Sequence, residues 1–129
     1  MQPTATVEIV SFGYLHGEPP AAHLTIDLRE HFRDPHVRPD LRFMTADDDP
    51  VRRAVLGTPG LINLITSTTL AVRAFASGPS AGVIRIAGGC AGGRHRAPTF
   101  ARVLAELLDD AEFTVTVSHR DLDKPVVQR

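Results

Sequence analysis

Residues 82–97 (GVIRIAGGCAGGRHRA) constrain this chain more than any other stretch. The short apolar run 82–87 predicts a buried central strand. Glycines at 88, 89, 92 and 93 then predict a glycine-rich turn over 88–96. From Pro98 onward, Phe100, Val103, Leu104, Leu107 and Leu108 recur on one face of a helix. Asp109 and Asp110 are acidic at the negative end of its dipole and set its stop. A strand that leaves through a glycine turn into an amphipathic helix is half of a βαβ unit. Such a unit calls for a parallel neighbour strand and right-handed crossovers.

Other segments supply those neighbours. Residues 6–12 (TVEIVSF) are β-branched and apolar and stop at Gly13. Leu24, Ile26 and Leu28 alternate with Thr25 and Asp27, the period of a second strand over 23–28. Residues 29–50 hold Pro35, Pro39, Pro50 and a triple Asp, and are expected to be mostly irregular. A helix is predicted over 58–77, with Pro59 at its first position and Gly78-Pro79 beyond its end. Leu61, Ile65, Thr68, Val72 and Phe75 form its expected inner stripe, and the hydroxyl run 66–69 weakens its middle. Phe113, Val115 and Val117 alternate with Thr114 and Thr116 in a last strand, and the polar segment 121–129 is expected to fray.

The 129 residues leave room for one core, and with aromatics at 5% it must come from Val, Ile, Leu and Ala. The reading is one compact α/β domain over 1–129, with a mostly parallel sheet of four to five strands flanked by helices. In such sheets ligands bind beyond the carboxyl ends of the strands. Those ends carry Ser11-Phe12-Gly13, Asp27-Leu28-Arg29, the 88–96 loop and Ser118-His119-Arg120.

The 88–96 loop fits an anion. Glycine lets backbone N–H groups approach a phosphate closely, and the helix N-terminus adds positive potential. The proposed donors are the amides of Cys90, Ala91, Gly92 and Gly93, followed by Arg94, His95 and Arg96. A turn that uses glycine only for shape competes, but three consecutive basic residues favour the anion. The loop is not a Walker A motif, since the GxxxxGK[ST] lysine and hydroxyl are missing, and GxGxxG does not occur. Cys90 and Arg96 do have the C-x5-R spacing of cysteine-dependent phosphatases, in which a thiolate attacks phosphorus. Gly89 stands where that pattern has His and Ala97 where it has Ser or Thr, so catalysis by Cys90 and Arg96 is the alternative rather than the leading reading.

Further candidates lie at the other strand ends. Asp27 and Arg29 point the same way, so a structural pair competes with ligand contact. His36 is either an idle loop histidine or a contact, and His119 and Arg120 either meet the ligand or form a solvated edge. Asp47, Asp48 and Asp49 suit a turn capping a helix at Val51 better than Mg²⁺. No metal and no cofactor is expected. A net charge of −1 argues against a nucleic-acid scaffold, and the single cysteine excludes an internal disulfide. Without a signal-like segment or a run of about 18 apolar residues, a cytoplasmic protein is expected.

Several segments together resemble the C-terminal domain of the RapZ (RNase adapter, YvcJ-like) family. They are SFGY at 11–14 with Gly17 and Pro19, IDLR at 26–29, DPH at 34–36, LRFMT at 41–45, DDP at 48–50, GCAGGRHRA at 89–97 and SHRDLDK at 118–124. The resemblance implies a ligand-sensing regulatory domain that binds glucosamine 6-phosphate and, in the enterobacterial adapter, small RNA and a ribonuclease. It places the sugar-phosphate site on Asp27, Arg29, His36, Ala91, Gly92, His95 and Arg96. The usual family loop is GCTGGKHRS, so Ala91, Arg94 and Ala97 are departures, and two hydroxyls are lost. The family's N-terminal P-loop kinase-like domain has no counterpart in these residues, so nucleotide binding is not expected from them. The nearly balanced tail DLDKPVVQR, where the family is strongly basic, makes RNA a weaker expectation than a small phosphate. Family resemblance also implies self-association, with helix 58–77 or edge strand 113–117 as faces.

Overall fold

Alternation of apolar and polar residues builds the sheet. In the first strand, β1 (Ala5–Gly13), Ala5, Val7 and Ile9 are buried while Thr6, Glu8 and Val10 are only half-buried. The computed structural model describes residues 5–79, 82–109 and 112–129. Strands β2 (Leu24–Asp27), β3 (Val83–Cys90) and β4 (Phe113–His119) join β1 in one sheet of order β2-β3-β1-β4, with every pairing parallel. The apolar run of β3 therefore does lie in the sheet interior.

Three helices, α1 (Asp49–Leu56), α2 (Leu61–Ala76) and α3 (Arg96–Leu108), complete the domain. Helix α3 lies across β1, β3 and β4, and its Phe100, Leu104 and Leu108 join Val7, Ile9, Ile84 and Ile86 in the core. Helices α1 and α2 pack against α3. The opposite sheet face stays open: Glu8 and Arg85 pair across it with both side chains near half exposed. No single helix among the described residues is long and apolar enough to cross a membrane.

Several boundaries differ from the sequence expectation. Strand β3 continues through Gly88 and Gly89 to Cys90 rather than turning at 88. The reason is steric. A Cβ on Gly88 would stand 2.8 Å from the Phe100 ring, and one on Gly89 would stand 2.4 Å from Phe12. These two glycines make room for aromatic rings above and below an extended strand. Helix α2 starts at Leu61, because Gly60 takes φ +89° and breaks the helix from residues 58–59, while Thr58 bonds back to Ala54 O. Its stripe Leu61, Ile65, Thr68 and Val72 is buried as expected, but Phe75 is 43% exposed. Within 29–50 the chain makes a 3-10 turn at Pro35–Val37, then enters α1 behind Asp48 as N-cap residue. Asp110, expected to help end α3, lies outside the described residues.

The start of the 121–129 segment is not frayed. Asp121 and Leu122 are buried, and Asp121 accepts from Gly13 N at 2.7 Å and Lys124 Nζ at 2.6 Å. A charged residue can be buried here because its partners come with it.

Candidate functional site

The carboxyl ends of β1, β2 and β3 converge on residues 91–95, the loop between Cys90 and α3. The loop is clamped from several sides. A Cβ on Gly13 would stand 2.5 Å from the Gly92 carbonyl carbon, so the two backbones touch. Gly93 has φ +75°, a left-handed conformation natural to glycine, and carries the turn. Leu15 N donates to Ala91 O, and Ala46 N donates to Arg94 O.

The amides behave differently. Among the described residues, no acceptor takes the backbone N–H of Ala91, Gly92, Gly93, Arg94 or His95. Gly92, Gly93 and His95 are buried, and buried donors are normally paired. Consecutive N–H groups without a protein acceptor at a strand-to-helix junction are the donors that anion-binding loops use.

The side chains around the loop divide into holders and candidates for contact. Arg96 is 2% exposed: its Nη1 donates to the carbonyls of Leu28, Arg29 and Phe32, and its Nη2 lies 3.2 Å from Asp34 Oδ2. Arg96 therefore folds residues 28–34 onto the loop, and only its Nε is left without a partner. Both Nη atoms of this candidate ligand-binding residue thus have protein partners. Arg94 likewise donates to Lys124 O and Phe43 O, and His95 Nε2 lies 2.9 Å from Met44 O. Burial lowers the pKa of His95, against the opposing pull of its hydrogen bond to Met44.

Asp27 and Arg29 form the structural pair that competed with ligand contact, with Arg29 Nη2 at 2.7 Å from Asp27 Oδ2. The guanidinium also stacks 3.6 Å above the Tyr14 ring. Its hydrogen bonds to Asp27 hold that carboxyl below its ordinary pKa. His36 is 9% exposed, and burial followed by the charge of Arg129 lowers its pKa. His119 shares a 2.7 Å hydrogen bond with Ser11 Oγ. Arg120 donates to Asp121, Glu18 O and Gly13 O, so it pins the turn after β1. The structure thus gives His119 and Arg120 protein partners at the β4 end.

Cys90 is 2% exposed, and its sulfur accepts from Ala97 N at 3.4 Å. The pair with C-x5-R spacing is built as a buried thiol facing a helix start and an arginine bound to carbonyls. The acidic run also serves structure: Asp48 accepts from Thr45 N, Asp47 meets Arg102, and Asp49 pairs with Arg52 and Arg53. Among the described residues no cluster of three His, Cys, Asp or Glu side chains is placed to hold a metal.

Sequence reasoning missed Asp34, Arg42 and Arg129. A cavity of about 510 Å³ is lined by His36, Val37, Arg42, Phe43, Val126 and Arg129, among others. Its size is ordinary for a small-molecule site. Asp34 had a signal in the DPH segment; Arg129 had none, because only the folded tail brings it here.

Fold and site together define a parallel α/β domain with a basic, glycine-rich loop at its strand ends. Residues 5–123 match the family model of the RapZ C-terminal domain, and the chain belongs to that family. It is 39% identical over 119 residues to a "nucleotide-binding protein" of Thermobifida fusca, a match covering 90% of this chain and 40% of that protein. A "nucleotide-binding protein" of Heliobacterium modesticaldum is 38% identical over 130 residues, covering 92% of this chain and 40% of that protein. The chain thus spans about 40% of the length of the curated relatives it matches.

Proposed function

We propose that this domain is a regulatory module that binds a small phosphorylated ligand, with an amino-sugar phosphate such as glucosamine 6-phosphate as the best candidate. One observation carries the reading: the unpaired amides of 91–95 at the β3–α3 junction. A phosphate there would satisfy several buried donors at once, in the positive field of a helix start. The 510 Å³ cavity beside His36 gives room for the rest of the molecule. Membership of the RapZ C-terminal domain family supports a binding and regulatory role, and the names of the relatives suit a phosphorylated small molecule.

Calorimetry with glucosamine 6-phosphate, glucose 6-phosphate, glucosamine and inorganic phosphate tests the reading. Both sugar phosphates should bind more tightly than glucosamine, since the loop recognises the phosphate. Equal binding of glucosamine and its phosphate would refute it, as would silence from all four at millimolar concentration.

A further inference from the structure

The charges around Asp34 do not balance. Arg96 Nη2 and Arg129 Nη2 both lie on Asp34 Oδ2, at 3.2 and 2.7 Å, so two guanidinium groups share one carboxylate oxygen. Arg42 adds a third cation at the same cavity, where its Nε donates to the carbonyl of His36. Among the described residues no carboxylate pairs with Arg42. Three guanidinium groups thus gather around one side-chain carboxylate, partly withdrawn from water, and such a cluster attracts an anion.

Arg129 stands at the centre of this imbalance. Its Nη1 lies only 3.3 Å from the point a Cβ on Gly92 would occupy, so the guanidinium sits directly over the loop. The same side chain lines the 510 Å³ cavity with His36. It therefore approaches Gly92 of the loop and lines the cavity as well. It lies beyond the residues that match the family model, which end at 123.

We infer that Arg129 is a ligand-binding residue, a guanidinium that closes over the 91–95 loop and clamps the ligand's phosphate from the side opposite the amides. Asp34 pre-positions it: the 2.7 Å pair holds the side chain in place before binding. A ligand oxygen then meets a fixed fork rather than a mobile tail, which reduces the ordering cost of binding. The Nη1 of Arg96 is taken up by three carbonyls, so Arg129 supplies the side-chain donors that the sequence pattern assigned to Arg96.

This inference rests on the phosphate-binding reading, and the test separates the two. Wild type, Arg129→Ala, Arg129→Lys and Arg53→Ala are titrated by calorimetry with glucosamine 6-phosphate and separately with inorganic phosphate. Arg53 is 74% exposed on α1, and its loss is a charge-matched control. Arg129→Ala should weaken both anions about ten- to hundredfold, Arg129→Lys less, and Arg53→Ala hardly at all. Melting temperatures should stay close to wild type throughout, because the Asp34–Arg129 pair is partly exposed. Unchanged affinity in Arg129→Ala overturns the inference while leaving the phosphate reading intact. Wild type that binds inorganic phosphate but no sugar phosphate refutes the sugar, and the phosphate titrations still decide Arg129. Wild type that binds neither anion overturns both.

Discussion

Arg96→Ala is expected to damage the fold far more than ligand binding alone would explain. The side chain is 2% exposed and holds the carbonyls of Leu28, Arg29 and Phe32 together with Asp34. Removing it strands three carbonyls and leaves Asp34 with Arg129 as its remaining cation. Breaking a buried charged network of this kind costs about 3–5 kcal/mol, and the surviving Arg129 pair argues for the lower half, about 3–4 kcal/mol. A chain of 129 residues unfolds with an entropy of about 0.27 kcal/mol/K near its midpoint, so the melting temperature should fall by about 11–15 °C. Thermal melting followed by circular dichroism measures this directly. Arg96→Lys should recover less than half, since an ammonium cannot reach three carbonyls and a carboxylate with the geometry of a guanidinium. If Arg96→Ala melts within about 3 °C of wild type while affinity for glucosamine 6-phosphate falls tenfold, Arg96 works on the ligand and the structural argument fails.

Asp121, with its pKa lowered from 3.8 to about 2, makes a second case: Asp121→Asn should cost about 2 kcal/mol at pH 7 in urea unfolding. Because the folded pKa lies below the unfolded one, that contribution is complete above about pH 4 and should vanish as pH falls towards 2; a constant difference would contradict it. Gly89→Ala should destabilise by about 1–3 kcal/mol or more through collision with Phe12 and Tyr14, and normal stability would show that β3 can shift. Cys90 should react with iodoacetamide slowly, at a rate set by opening of the fold, and Cys90→Ala should keep its ligand affinity. Fast labelling blocked by vanadate would instead revive the phosphatase alternative.

What the sequence revealed depended on whether local pattern decided the outcome. The strand–glycine–helix unit was legible because an apolar run and a periodic stripe each speak for themselves, as Phe100, Leu104 and Leu108 do in α3. The end of β3 was not, because Gly88 and Gly89 answer to rings of Phe12 and Phe100 that arrive from elsewhere. Phe75 fits the stripe of α2 but falls near its end, where the helix runs past the core and the ring meets His23 instead. Arg96 looked like a ligand clamp beside glycines, yet its burial depends on residues 28–34 folding over it. Polar composition made 121–129 look loose, although the neighbours of Asp121 neutralise it in place.

The strand order β2-β3-β1-β4 also has a consequence for how the chain reaches this state. Its first strand is an interior one, and both neighbours come from far along the chain: Thr6 faces Val83 on one side and Thr114 on the other. No local hairpin can shelter β1 while it waits, so most of the loop-closure entropy must be overcome before the sheet rewards it. During synthesis residues 5–13 stay unpaired until β3 and β4 have emerged, an apolar strand with both edges bare. Folding should therefore be slow for a domain of this size, and the vulnerable species is the nascent chain rather than the finished protein.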